Sequence, residues 1–252
     1  MKVKSSFKYI FENWKYSLNT SLFTIIFILS MVLAVYGGIQ MGFKYDYITV
    51  FISVLNQNFY SVVLLLVVLL NTVNINNIFS KNEFYIIRCE TKKKYLIDLI
   101  KNVLFGNFCL FVLNILLLMI VLNVTCAGGN VYIQVYKDIP NIVSLVFLII
   151  KFLLLTEVIS IFNVLLLKVV DNKIVIFLNI LLIVSNLLIP ISDSEITNVF
   201  QLPLFINSYY RIGGYSGLLF EILCFLLYLS LLLLFTYYLY KFVIRKMRKV
   251  IE

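Results

Sequence analysis

Two ionisable residues stand where charge is costly. Lys151 and Glu157 both fall in the apolar run NIVSLVFLIIKFLLLTEVISIFNVLL. Ionisable groups at bilayer depth are rare, and they mark substrate paths, proton relays or counter-ions. Six residues of helix turn through about 600°, which leaves the two side chains about 120° apart. They therefore do not pair within their own helix. Lys151 is expected to snorkel towards the headgroups. Glu157 is expected either to be a packing site held by a neighbouring helix or to serve a substrate pathway or proton coupling. Asparagines recur at similar depth: Asn71, Asn74, Asn107, Asn114, Asn163, Asn179 and Asn186. Hydrogen bonding between helices is the default role of such residues. Asn71, Asn114 and Asn163 join Glu157 as candidates for lining a polar pathway.

Other chemistry is missing its residue types. The chain has no histidine, which removes Ser-His-Asp and Cys-His catalysis and histidine metal sites. One deep carboxylate without a second acid makes no acid–base pair, so an enzyme is not expected. The four cysteines, Cys89, Cys109, Cys126 and Cys224, have no paired spacing that would suggest a disulfide framework or a zinc site. No GxxxxGK[ST] loop is present, so any ATP and Mg would be bound by another subunit. No catalytic residue, metal or cofactor is expected in this chain.

The surrounding composition is that of a membrane domain. Of 252 residues 62% are hydrophobic and 13% charged, against about half and a quarter in soluble domains. About 20 largely apolar residues cross a bilayer core as a helix. Six such stretches are predicted, at 20–37, 58–79, 103–123, 142–167, 174–191 and 218–240. The apolar stretch at 47–55 is expected to extend the second span or to lie flat at the outer interface. The expected fold is all-α: a single polytopic membrane domain over 1–252.

The net charge of +9 sits between apolar runs. That favours anionic headgroups over nucleic acid as its partner. With the N-terminus inside, cytoplasmic segments collect 17 of the 21 lysines and arginines. Outer loops hold Lys44, Lys137 and Arg211, and Lys151 lies in a span. By the positive-inside rule both termini are expected on the cytoplasmic face of the cell membrane. No small-residue cleavage site follows the first apolar run, so that span is expected to be retained.

Three flanking segments add detail. Val3, Phe7, Ile10, Phe11, Trp14 and Leu18 fall on one helical face, with Lys4, Lys8, Glu12 and Lys15 opposite. That pattern predicts an interfacial amphipathic helix over 1–18. Residues 80–102 are charged and amphipathic. They read as one or two short cytoplasmic helices broken near Glu90 and Thr91, a surface suited to docking. Residues 192–217 form an outward, partly apolar and aromatic loop, with Gly213 and Gly214 allowing a sharp turn into the last span. Glu221 and Tyr215 fit an interface position and call for no further role.

This layout resembles the ABC-2 type permeases, the six-span membrane subunits of ATP-driven exporters. The likeness rests on the amphipathic helix before the first span, the even span count, the charged loop after the second span and the apolar outward loop before the last. The run from Glu83 through Arg88 to TKKKYLIDLIKN is similar to that family's coupling segment. The resemblance implies a dimer, homo- or heteromeric, seated on separate ABC ATPase subunits. Glu83, Phe84, Arg88, Glu90, Lys93 and Tyr95 would then dock in the ATPase and transmit force. It also implies re-entrant helices in 192–217. The substrate would be a peptide or another amphipathic molecule, as in bacteriocin or lantibiotic export and immunity in Gram-positive bacteria. Lysine far exceeds arginine and alanine is scarce, which fits an AT-rich host. Two other classes stay open on the residues alone: a secondary transporter centred on Glu157 and Lys151, and a non-transporting immunity or assembly factor.

Overall fold

The computed structural model describes residues 28, 32, 36, 45–55, 58–81, 91–126, 129, 131–132, 139–188 and 214–248. These form six helices: α1 (Tyr47–Leu55), α2 (Asn58–Lys81), α3 (Lys92–Thr125), α4 (Asn141–Leu166), α5 (Asn172–Leu188) and α6 (Gly214–Arg248). Ile28, Val32 and Tyr36 are also helical and are exposed. Among the described residues the fold is all-helical, and its β geometry is limited to an isolated bridge between Tyr45 and Val131.

Among the described residues four helices are long and apolar enough to cross a membrane: α2, α3, α4 and α6. They match the predicted spans at 58–79, 103–123, 142–167 and 218–240. The predicted span at 174–191 coincides with α5 as far as Leu188; residues 189–191 lie outside the described residues. The predicted span at 20–37, apart from those three positions, lies outside the described residues. So do the amphipathic helix at 1–18 and the outer loop at 192–217 up to Gly214.

Local chemistry sets the helix starts. The Thr91 side chain accepts a hydrogen bond from the Lys94 backbone N–H at 3.2 Å, an N-cap that starts α3. A helix start therefore stands at Thr91, where a break is expected, while residues 82–90 before it lie outside the described residues. Beyond it, however, no second short helix follows: residues 92–102 are the first turns of one 34-residue helix that continues to Thr125. Asp46 opens α1, its Oδ2 accepting from the backbone N–H of Ile48 at 3.2 Å and of Thr49 at 3.3 Å. The turn between α4 and α5 is closed by Asp171, whose carbonyl accepts from the Ile174 and Val175 N–H groups.

Side-chain pairs give the directions. Tyr60 meets Asn114 and Asn71 meets Asn107, so α2 and α3 are antiparallel. Tyr60 meets Phe152 near one end and Asn76 meets Lys168 near the other, so α2 and α4 run parallel. Leu218 packs with Ile139, and Val243 shares a cluster with Val164 and Leu165, so α6 also runs parallel to α4. The chain must therefore return between α4 and α6, and α5 lies on that return.

Helix α1 departs from expectation. It neither extends α2 nor lies flat at an interface. Val50, Phe51, Ile52, Val54 and Leu55 are all fully buried, in one cluster with Leu118 and Leu122 of α3 and Leu148 and Phe152 of α4. Its sequence permits this: YITVFISVL has almost no polar face, so every side of the helix can pack against apolar neighbours. The prediction is a large cavity cost. Phe51→Ala should lower stability by about 3–5 kcal/mol, read as a drop in the thermal midpoint of the detergent-solubilised protein. An unchanged midpoint would place α1 at the surface.

Candidate functional site: the polar core of the bundle

Polar side chains gather along α4 and the helices around it. Asn107 of α3 is the centre of the largest group. Its Oδ1 accepts from Asn71 Nδ2 of α2 at 2.7 Å. Its Nδ2 donates to Thr72 Oγ1 of α2 at 3.0 Å and to Ser160 Oγ of α4 at 2.7 Å. The two hydroxyls pass their own protons back to helix carbonyls, Thr72 to Val68 and Ser160 to Thr156. Three helices are thereby tied at one level, and all four side chains are buried. Nearer the start of α2, the Tyr60 hydroxyl donates to Asn114 Oδ1 at 2.7 Å while its ring meets Phe152 edge-on. On another face of α4, Asn163 and Asn179 of α5 exchange amide hydrogen bonds at 3.3 and 2.9 Å. Asn71, Asn114 and Asn163, read as pathway candidates, are thus helix-to-helix ties in this conformation. Thr72 and Ser160 were not singled out from sequence. The spacing of Thr156, Ser160 and Asn163 at i, i+4 and i+7 was the available signal, since it marks one helical face.

Lys151 corrects the sequence reading. It does not snorkel. Its ammonium donates to Glu221 Oε1 of α6 at 2.7 Å, with the side chains 3% and 1% exposed. Glu221, taken as an interface residue with no further role, is therefore the counter-ion that ties α6 to α4. The pair was hidden in the sequence because it joins two helices 70 residues apart and Glu221 falls near the end of its own span. Its match is plain only once the helices are set parallel.

Glu157 differs from all of these. Its two carboxylate oxygens are covered, and no hydrogen-bond partner reaches either. Cys109 of α3 lies within electrostatic reach of it.

At the end of the bundle where α3 begins, Lys93 and Lys94 are exposed. Tyr95, expected to face a partner ATPase, is instead buried against Leu96, Leu99, Val164 and Val243. It follows Lys93 by two residues, about 200° around the helix, so the exposed lysine and the buried tyrosine fall on opposite faces. Lys168 caps this corner. Its amine donates to Asn76 Oδ1 at 2.7 Å and lies 5.3 Å from the centre of the Tyr95 ring. Burial pulls its pKa down from 10.5 to about 8. Glu83, Phe84, Arg88 and Glu90 lie outside the described residues.

Among the described residues no three His, Cys, Asp or Glu side chains gather as a metal site, and Cys109, Cys126 and Cys224 are free thiols. The fold and its polar core define an all-helical membrane protein. No protein-family model matches the chain, and no curated protein or solved structure matches it significantly.

Two predictions follow from these contacts. Lys151→Met leaves a buried carboxylate alone, and should destabilise the protein by about 3–5 kcal/mol. Lys151→Met combined with Glu221→Met should recover most of that loss; purely additive losses in thermal midpoint would show that the two residues are not a pair. For Lys168 the folded pKa lies below the unfolded one. The cost of burying its charge is fully present below pH 8 and fades between about 8 and 10.5. Wild type should therefore gain stability relative to Lys168→Met as the pH rises through that window; parallel pH profiles would contradict the burial of this amine.

Proposed function

We propose that this chain is the membrane-spanning permease subunit of an ABC transporter, moving a peptide or other amphipathic substrate with ATP hydrolysed by a separate subunit. It would act as a homo- or heterodimer in the cytoplasmic membrane, with six spans, both termini inside and anionic lipid around it. The carrying observation is the distribution of charge over the bundle. Lys93, Lys94, Lys101, Lys168, Lys173, Lys241, Arg245 and Lys246 belong to the α3 start, the α4–α5 turn and the α6 end. The directions of the helices bring these three places to one end of the bundle, as expected of a cytoplasmic face. The segment 82–91 leads into α3 at this same end. There Tyr95 and Leu96 lock the helix onto α4 and α6, so a push on the segment would pass directly into the bundle. Burial of Tyr95 makes it part of that transmission rather than of the docking surface, which falls to Glu83, Phe84, Arg88, Glu90 and Lys93.

A second reading is favoured by one observation, the unpartnered Glu157 carboxyl: an ATP-independent carrier, or an immunity factor, using that acid. Lys151 is no longer available to it, being held by Glu221. The deciding experiment is affinity purification of the solubilised protein from its host, with an ATPase assay on what co-purifies. The expected result is a Walker-A subunit that is lost in Glu83→Ala/Arg88→Ala. Pure protein without ATPase would overturn the permease assignment.

A further inference from the structure

Charge at membrane depth does not balance. Among the described residues of the apolar spans, Lys151 and Glu221 cancel each other at 2.7 Å. Glu157 is left over, its oxygens covered and without a partner. A carboxylate enclosed without counter-charge or hydrogen bond is costly by several kcal/mol, and it is retained at such depth where something binds it.

The surface leading to it has a definite character. Val143, Ile150 and Glu157 are spaced by seven, which keeps them within about 40° of one face. Val146 and Leu154 flank the same stripe. These four apolar side chains are 41–49% exposed, with Val143 and Val146 each 47%, Ile150 49% and Leu154 41%. The stripe thus runs as open apolar surface for about three turns and ends on the covered acid. Among the described residues, Cys109 on α3 is a titratable group within electrostatic reach of Glu157. Lys151 on the same helix is turned away and held by Glu221, and the nearby α2 side chains of the network, Asn71 and Thr72, are neutral.

We propose that this stripe and Glu157 form the recognition site for an amphipathic cation, an apolar body lying along Val143, Val146, Ile150 and Leu154 with its ammonium group at the Glu157 carboxylate. The proposal rests on the transport reading and narrows its substrate class. An apolar body alone would find nothing on this stripe that lipid does not also offer. The acid supplies the discrimination, because a cation brought to it replaces a missing partner while a neutral group does not. The oxygens are covered at rest, so side chains around Glu157 must shift for the ammonium to reach them.

The test is equilibrium binding in nanodiscs of zwitterionic lipid without ATP or ATPase, so its outcome is independent of the co-purification result. The probes are a dansylated long-chain alkylamine and the alcohol of the same length. Wild type is expected to prefer the amine by about tenfold or more over the alcohol, after subtraction of empty nanodiscs. Glu157→Gln should erase that preference while leaving alcohol binding in place and the thermal midpoint no lower than that of wild type, since it removes an unpaired buried charge, and Glu157→Asp should restore part of the preference. An equal preference in wild type and Glu157→Gln would overturn the proposal and make the acid a packing group. Binding no greater than that of empty nanodiscs would overturn it as well, leaving the stripe as lipid-facing surface only.

Discussion

The structure depends on one constraint: a polar side chain at bilayer depth must find its partner inside the protein, because hydrocarbon offers none. Apolar packing alone does little to hold helices together there, since lipid tails are as apolar as leucine. The ties that fix this bundle are correspondingly polar and discrete. Asn107 joins α2, α3 and α4, Asn163 and Asn179 join α4 to α5, and Lys151 and Glu221 join α4 to α6. Each is a contact between side chains of different helices, and each fixes the relative depth of those helices as well as their proximity. The apolar clusters fill the space between these ties. Helix α1 is the extreme case, packed on every side by apolar neighbours.

The membrane character was legible in the sequence because hydropathy is a sum over about 20 residues and tolerates error in any one of them. α4 was read to within a residue at each end. The start of α3 was marked by Thr91, whose capping side chain acts over three residues and so leaves a local trace. What was not legible is partnership. Lys151 and Glu221 were both noticed, but each was assigned the role an isolated residue would have. Pairing them requires the rotation of two helices and their relative depth, and neither is encoded near either residue. The same holds for Tyr95. The resemblance of its segment to a coupling loop implied an exposed docking residue, whereas its own phase on the helix turns it inward against Leu165 and Val243.

Helix α4 is the hub, and the reason is angular. Taking Lys151 as the origin, Asn163 falls near 120°, Ser160 near 180° and Glu157 near 240° around the helix. The first three of these directions carry bonds to α6, α5 and α3 respectively. The fourth holds an acid without a partner. The helix is therefore clamped on three sides and chemically unsatisfied on one. Rotation of α4 would break up to three ties together, which makes it a poor hinge. Displacement of α3 away from α4 would break the Asn107–Ser160 bond and part Tyr95 and Leu96 from Val164 and Leu165, and if α2 travelled with α3 the Asn76–Lys168 bond would break as well.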